Sequence, residues 1–138
     1  MKPIVMTKFA IDTNILIYIH DKSCERKQDI ARTLIVESPV VSTQVVSEYI
    51  NVLRRIMPFP KENLLVLCIQ TLENCILTSV DVSTLKLAKH IIHRYDLQIF
   101  DSIIVASAIE SGCKILYSED MQHNLNIDKQ LKIINPFL

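Results

Sequence analysis

Glycine is almost missing from this chain: Gly112 is the single one among 138 residues. P-loops and dinucleotide-binding turns each need several glycines at fixed offsets, so both are excluded. Tryptophan is absent and aromatic residues make up only 6%. Tyr18, Tyr49, Phe59, Tyr95 and Phe100 are scattered, which fits core positions better than a base-stacking platform. Neither sign of charge is in excess, fifteen basic residues meeting fifteen acidic ones. A nucleic-acid partner would therefore have to be met by a local patch, not by the field of the whole protein. Cys24, Cys68, Cys75 and Cys113 form no CxxC pair and show no close His/Cys spacing of the zinc-site kind. That argues against zinc or a thioredoxin-like pair and predicts free thiols in a reducing compartment. No run approaches the roughly 18 apolar residues of a membrane span, the longest being Ile15 to Ile19 and Ile103 to Ile109. Lys8 and Asp12 break the apolar start and no small-residue cleavage site follows, so the sequence predicts a cytoplasmic protein with no membrane role.

What is present is material for one well-filled core. Hydrophobic residues reach 49%, charged residues 22%, and mean hydropathy is +0.27. This length and composition predict a single folded domain over residues 1–138. Apolar runs and periodicity alternate regularly along it. Strands are expected at about Phe9 to Asp12, Val40 to Ser42, Ile76 to Val80, Lys114 to Tyr117 and Leu131 to Ile134. Helical segments are expected at about Ile15 to His20, Cys24 to Glu37, from Thr43 to before Pro58, Glu62 to Glu73, Ser83 to Tyr95 and Ser102 to Ser111. Gly112 closes the last of these, where a left-handed residue is cheapest. Helices between apolar strands indicate an α/β fold: a central parallel sheet of about five strands with helices on both faces. In such sheets ligands bind outside the carboxyl ends of the strands.

Four acids stand out against this pattern. Asp12 and Asp101 each interrupt an apolar stretch, and each has a plain alternative as a helix N-cap. Glu48 lies within a helix, beside the stripe that should face the core, and could equally be a surface-edge glutamate. Asp120 follows the fourth strand, where loop acids are common. Their joint placement carries the argument, since all four can face one crevice. Crowded carboxylates must protonate or be neutralised by a cation. With no His or Cys in the set, Mg²⁺ or Mn²⁺ is the natural choice, because hard ions take oxygen ligands. Asn14 or Ser118 could hold waters or orient a ligand carboxylate. Metal-dependent phosphodiester hydrolysis is the chemistry this set points to.

The segments that carry these acids are IDTNIL at Ile11 to Leu16, SEYINVL at Ser47 to Leu53, FDSIIVASAIESGC at Phe100 to Cys113 and LYSEDM at Leu116 to Met121. Together they resemble the PIN-domain nucleases. The length, motif order and closing IINPF are most similar to the virulence-associated protein C (VapC) toxin ribonucleases of toxin-antitoxin systems. The resemblance covers essentially the whole chain. It implies a Mg²⁺- or Mn²⁺-dependent endoribonuclease acting on RNA, a cognate antitoxin as partner, and a homodimer. By position, Asp12, Glu48, Asp101 and Asp120 match the family's acidic quartet. Asp12 and Asp101 would bind metal most directly, Glu48 would orient water, and Asp120 would complete the cluster beside Ser118. One departure is visible: the family often has a glycine soon after the fourth acid, whereas this chain reads Met121-Gln122-His123-Asn124. Asn124 can take the left-handed conformation instead.

Other features divide between function and plain surface. Arg54 and Arg55 could contact RNA phosphates or simply decorate the end of their helix. Lys86, Lys89, His90, His93 and Arg94 form a basic stripe that could track a backbone or be a solvated face. Three other functions share these residues: an RNA-processing nuclease without an antitoxin, a non-catalytic nucleic-acid or protein-binding module, and an aspartate-based phosphoacceptor or phosphatase. The last wants a second acid where Asn14 stands, or a lysine after the last strand.

Overall fold

The computed structural model describes residues 7–138; the first six residues of the expected domain lie outside the described residues. The described residues form twelve elements, all but β5 anticipated: β1 (Phe9–Ile11), α1 (Thr13–Tyr18), α2 (Glu25–Ile35), β2 (Val40–Ser42), α3 (Thr43–Ile56), α4 (Lys61–Leu72), β3 (Ile76–Thr78), α5 (Val82–Tyr95), α6 (Ile99–Glu110), β4 (Ile115–Tyr117), β5 (Asn126–Ile127) and β6 (Leu131–Ile134). The sheet runs β3-β2-β1-β4-β6-β5. All neighbouring pairs are parallel except β5 with β6, which forms an antiparallel edge. The chain leaves β1 toward β2 and β3, then returns across the sheet to place β4 on the other side of β1. That reversal makes the carboxyl ends of β1 and β4 a topological switch point.

The strands are only two to four residues long, and burial holds them in place. Every residue of β1 and β2 is buried, as strands covered by helices on both faces require. The edge strand β3 leaves Ile76 and Leu77 about half exposed. On α3, Val45, Tyr49 and Leu53 recur every four residues and are completely buried, which orients that helix and leaves Glu48 off the core face. The α6 helix is apolar nearly all round, and Ser102 through Ala108 are buried, as befits a central helix. It packs against α5, α3, β2, β4 and β6.

Three local findings refine the sequence reading. The sheet has one strand more than expected, β5. The α6 helix begins two residues before Asp101, with Gln98 as its cap, the Gln98 side chain accepting the Asp101 N–H at 3.1 Å. Gly112 and Asn124 both adopt the left-handed conformation, with φ of 77° and 68°. Asn124 thus supplies the conformation for which a glycine was anticipated.

Candidate active site

Each of the four acids is positioned by a different part of the chain. Asp12 follows β1, and its N–H continues the sheet by donating to the Tyr117 carbonyl at 2.9 Å. Its carboxylate caps α1, accepting from the Thr13 N–H at 2.7 Å, and its other oxygen accepts from the Ser118 hydroxyl at 2.7 Å. Asp12 is therefore the cap of α1, and its second oxygen is tied to the loop after β4. Glu48 sits in the second turn of α3, where it accepts the Thr13 hydroxyl at 2.7 Å and the Gln44 amide at 3.2 Å. Asp101 lies in the first turn of α6 and is not its cap. Asp120, exposed after β4, accepts the Asn14 amide at 3.1 Å. The Asn14 carbonyl oxygen in turn accepts the Glu119 N–H at 3.2 Å, so Asn14 clasps the loop from both sides.

Electrostatics bring the four together. Asp12 is 5% exposed; burial raises its pKa to about 6, against the opposing hydrogen bonds from Ser118 and Thr13, with the negative charges of Asp101 and Glu48 adding to the rise. Asp101 is also raised, first by burial and then by Glu48 and Asp120. Asp12 thus feels Asp101 and Glu48, and Asp101 feels Glu48 and Asp120. Glu48 and Asp120 line an open crevice of about 540 Å³ together with Thr13, Asn14, Arg55 and Glu119 among others, while Asp12 and Asp101 are not part of its lining.

The donor set fits a hard divalent cation better than a caged metal. Among the described residues no three His, Cys, Asp or Glu side chains gather tightly enough to enclose an ion by themselves. An open arrangement of carboxylates suits Mg²⁺, which keeps several waters and takes one or two carboxylates directly. It does not suit zinc, which wants nitrogen or sulfur.

Thr13 and Glu119 are participants that the sequence did not single out. Glu119 lies between Ser118 and Asp120, but its carboxylate is turned toward the Tyr18 hydroxyl at 2.6 Å and the Lys27 ammonium. Burial alone would raise Glu119, yet the bonds from Lys27 and Tyr18 outweigh it and hold the pKa below its ordinary value. Lys27 also lies over the rings of Tyr18 and Phe137. One basic candidate is otherwise engaged: on α5, His90 and Arg94 both reach Asp128, at 3.0 and 3.4 Å. The two arginines of α3 separate. Arg55 lines the acidic crevice, whereas Arg54 donates to Asn51 at 2.7 Å and lines adjoining hollows.

A mostly parallel α/β sheet with acidic residues beside its switch point is the frame of the candidate site. The chain belongs to the PIN-domain family, whose profile matches residues 9–126. No functionally curated protein sequence matches it. Three solved structures share its fold. A toxin-antitoxin complex from Klebsiella pneumoniae aligns at 18% identity over 94% of this chain and 98% of that one, TM-score 0.69. VapBC2 from Rickettsia felis, bound to a DNA fragment from its promoter, aligns at 16% identity over 91% and 96%, TM-score 0.67. VapC20 of Mycobacterium tuberculosis, a sarcin-ricin loop cleaving toxin, aligns at 18% identity over 82% and 90%, TM-score 0.65. No helix among the described residues is long and apolar enough to cross a membrane.

Proposed function

We propose that this protein is a metal-dependent endoribonuclease and the toxin of a toxin-antitoxin pair. One observation supports the reading: the buried Asp12, pushed up to about 6, feels the charges of Asp101 and Glu48, and Asp101 feels those of Glu48 and Asp120. Caps and surface charges scattered over the fold would have no reason to act on Asp12 and Asp101 in this way.

In this reading Asp12 and Asp101 hold a Mg²⁺ or Mn²⁺ ion. The ion, when bound, supplies Lewis acidity at the phosphodiester and a more acidic water. The chain's own groups do the rest. Thr13 fixes one Glu48 oxygen, leaving Glu48 aimed into the crevice to orient water or accept its proton. Asn14 holds Asp120 at the rim, where it completes the negative field that retains the cation. Ser118 keeps Asp12 ionised and in register. RNA as substrate, a cognate antitoxin and a homodimer complete the proposal, supported by the family and by the toxin-antitoxin complexes that share the fold.

The test is cleavage of a mixed cellular RNA pool by wild type and Asp101→Asn, each with EDTA, Mg²⁺ or Mn²⁺. Discrete fragments from wild type with metal alone support the reading. Identical behaviour of both proteins in every condition overturns it and returns the acids to caps and surface charges. Co-purification with the product of an adjacent small reading frame tests the antitoxin, and light scattering at micromolar concentration tests the dimer.

A further inference from the structure

Arg55 stands seven residues after Glu48 on α3, two turns along the helix or a rise of about 10 Å. Both side chains line the same crevice, together with Asp21, Glu119 and Asp120. Among the described residues Arg55 is the one cation lining that crevice, and it has no carboxylate within ion-pair distance. Several cations elsewhere are engaged or line other hollows. Lys27 is bound to Glu119, Arg26 to the Phe137 carbonyl and Arg54 to Asn51. His90 and Arg94 hold Asp128, and Lys22 and Arg32 line a separate hollow beside Phe59.

A crevice walled by carboxylates repels a polyanion even after a divalent ion has neutralised part of it. Substrate entry therefore needs a positive group at the edge of the cluster. It must stand close enough to reach the same strand and far enough not to collapse onto the acids. Arg55 meets both conditions: it is exposed, uncompensated, and carries a planar fork suited to phosphate oxygens.

We propose that Arg55 binds a backbone phosphate of the RNA that flanks the scissile one, anchoring the strand across the crevice so that the scissile phosphate meets Asp12, Glu48 and Asp101. The role is one of binding, independent of sequence, and it rests on the nuclease reading above.

The experiment compares wild type, Arg55→Ala, Arg55→Lys and Arg54→Ala. Anisotropy of a labelled single-stranded RNA of randomised sequence is followed in EDTA over a salt series, and steady-state cleavage is followed with Mn²⁺. Arg55→Ala is expected to lower affinity by about two- to fivefold, the worth of one exposed ion pair. Its plot of log K against log salt should be shallower by about 0.7, the share of one phosphate contact on a single strand. Its KM should rise with kcat retained, as for a contact made equally in ground and transition states. Arg55→Lys should restore the salt slope, and Arg54→Ala should match wild type. An Arg55→Ala protein with wild-type affinity, slope and KM overturns the proposal, as does an equal loss in Arg54→Ala, which would mark a diffuse charge effect. If wild type itself neither binds nor cuts RNA, the nuclease reading falls and this inference with it. If wild type cuts and Arg55→Ala is unchanged, only this inference falls.

Discussion

Ser118 and Asp12, 106 residues apart in sequence, are joined by a 2.7 Å hydrogen bond in which the serine hydroxyl donates to the carboxylate. The Ser118 oxygen accepts in turn from the Met121 N–H at 3.2 Å. A fully buried hydroxyl thus fixes the central acid on one side and its own loop on the other.

Removing that hydroxyl should be felt in both stability and chemistry. Ser118→Ala is expected to cost about 1 to 3 kcal/mol, because a buried charged acceptor loses its partner. Losing a donor that favours the ionised form should also push Asp12 above its present value of about 6 and move the acid limb of the pH–rate profile upward. Ser118→Thr should keep both properties. An unchanged acid limb in the alanine variant would show that Asp12 does not report on the rate.

Asp12 itself makes stability depend on pH in the direction opposite to a salt-bridged aspartate. Below about 4 the group is protonated in folded and unfolded chains alike and contributes no difference. Between its ordinary value of 3.8 and its folded value of about 6, the unfolded chain ionises first and the folded state loses ground. Above 6 the full cost is present, on the order of 3 kcal/mol for two pH units. Asp12→Asn, which can still accept the Thr13 N–H, should therefore melt higher than wild type at pH 7 in EDTA and equal it near pH 4. A lower melting temperature at pH 7 would contradict the crowded, buried carboxylate.

Divalent ions should stabilise the wild type through the same group. An ion that binds only the folded state raises the melting temperature in proportion to ln(1 + [L]/Kd), so millimolar Mn²⁺ is expected to shift it upward at pH 7. The shift should shrink toward pH 5.5, where a proton competes for Asp12, and should be smaller in Asp101→Asn. Calorimetry showing no shift at either pH would remove the cation from the account.

Thr13 offers a way to perturb Glu48 without touching a charge. Its hydroxyl donates to Glu48 at 2.7 Å, so Thr13→Val should free the glutamate and slow cleavage by about tenfold, a loss of roughly 1.4 kcal/mol in the transition state. Thr13→Ser should be near wild type. Equal rates for the valine variant and wild type would mean that Glu48 needs no positioning.

Much of this was legible in the sequence because it depends on local pattern. The apolar strands, the buried stripe of Val45, Tyr49 and Leu53, and the acids at strand ends each follow from periodicity. What escaped depends on distant partners or on unusual residues in ordinary roles. Gln98 caps α6 where Ser, Thr, Asp or Asn would announce a helix start, so the sequence points to Asp101 as the cap and to a start at Ser102, three residues late. Strand β5 has two residues, and its turn places Asp128 and Lys129 in the left-handed conformation, with φ of 50° and 59°. An Asn-Gly or Asp-Gly pair would have signalled that hairpin. Here the Tyr95 hydroxyl stands in, donating to the Asp128 carboxylate at 2.9 Å and accepting the Asp128 N–H at 2.7 Å. No local rule reaches across those 33 residues, nor across the 35 that separate Thr13 from Glu48.

Surface loops generally absorb insertions and deletions without harm. The loop after β4 forbids them, because three consecutive residues each answer to a different partner: Ser118 to Asp12, Glu119 to Tyr18 and Lys27, Asp120 to Asn14. Adding or removing one residue there would slide every side chain to its neighbour's place. Lys27 would face the wrong group, Asp12 would lose its donor, and the acidic centre would come apart although no residue in it had been substituted. In this stretch the spacing of the chain is as much a part of the site as the residues themselves.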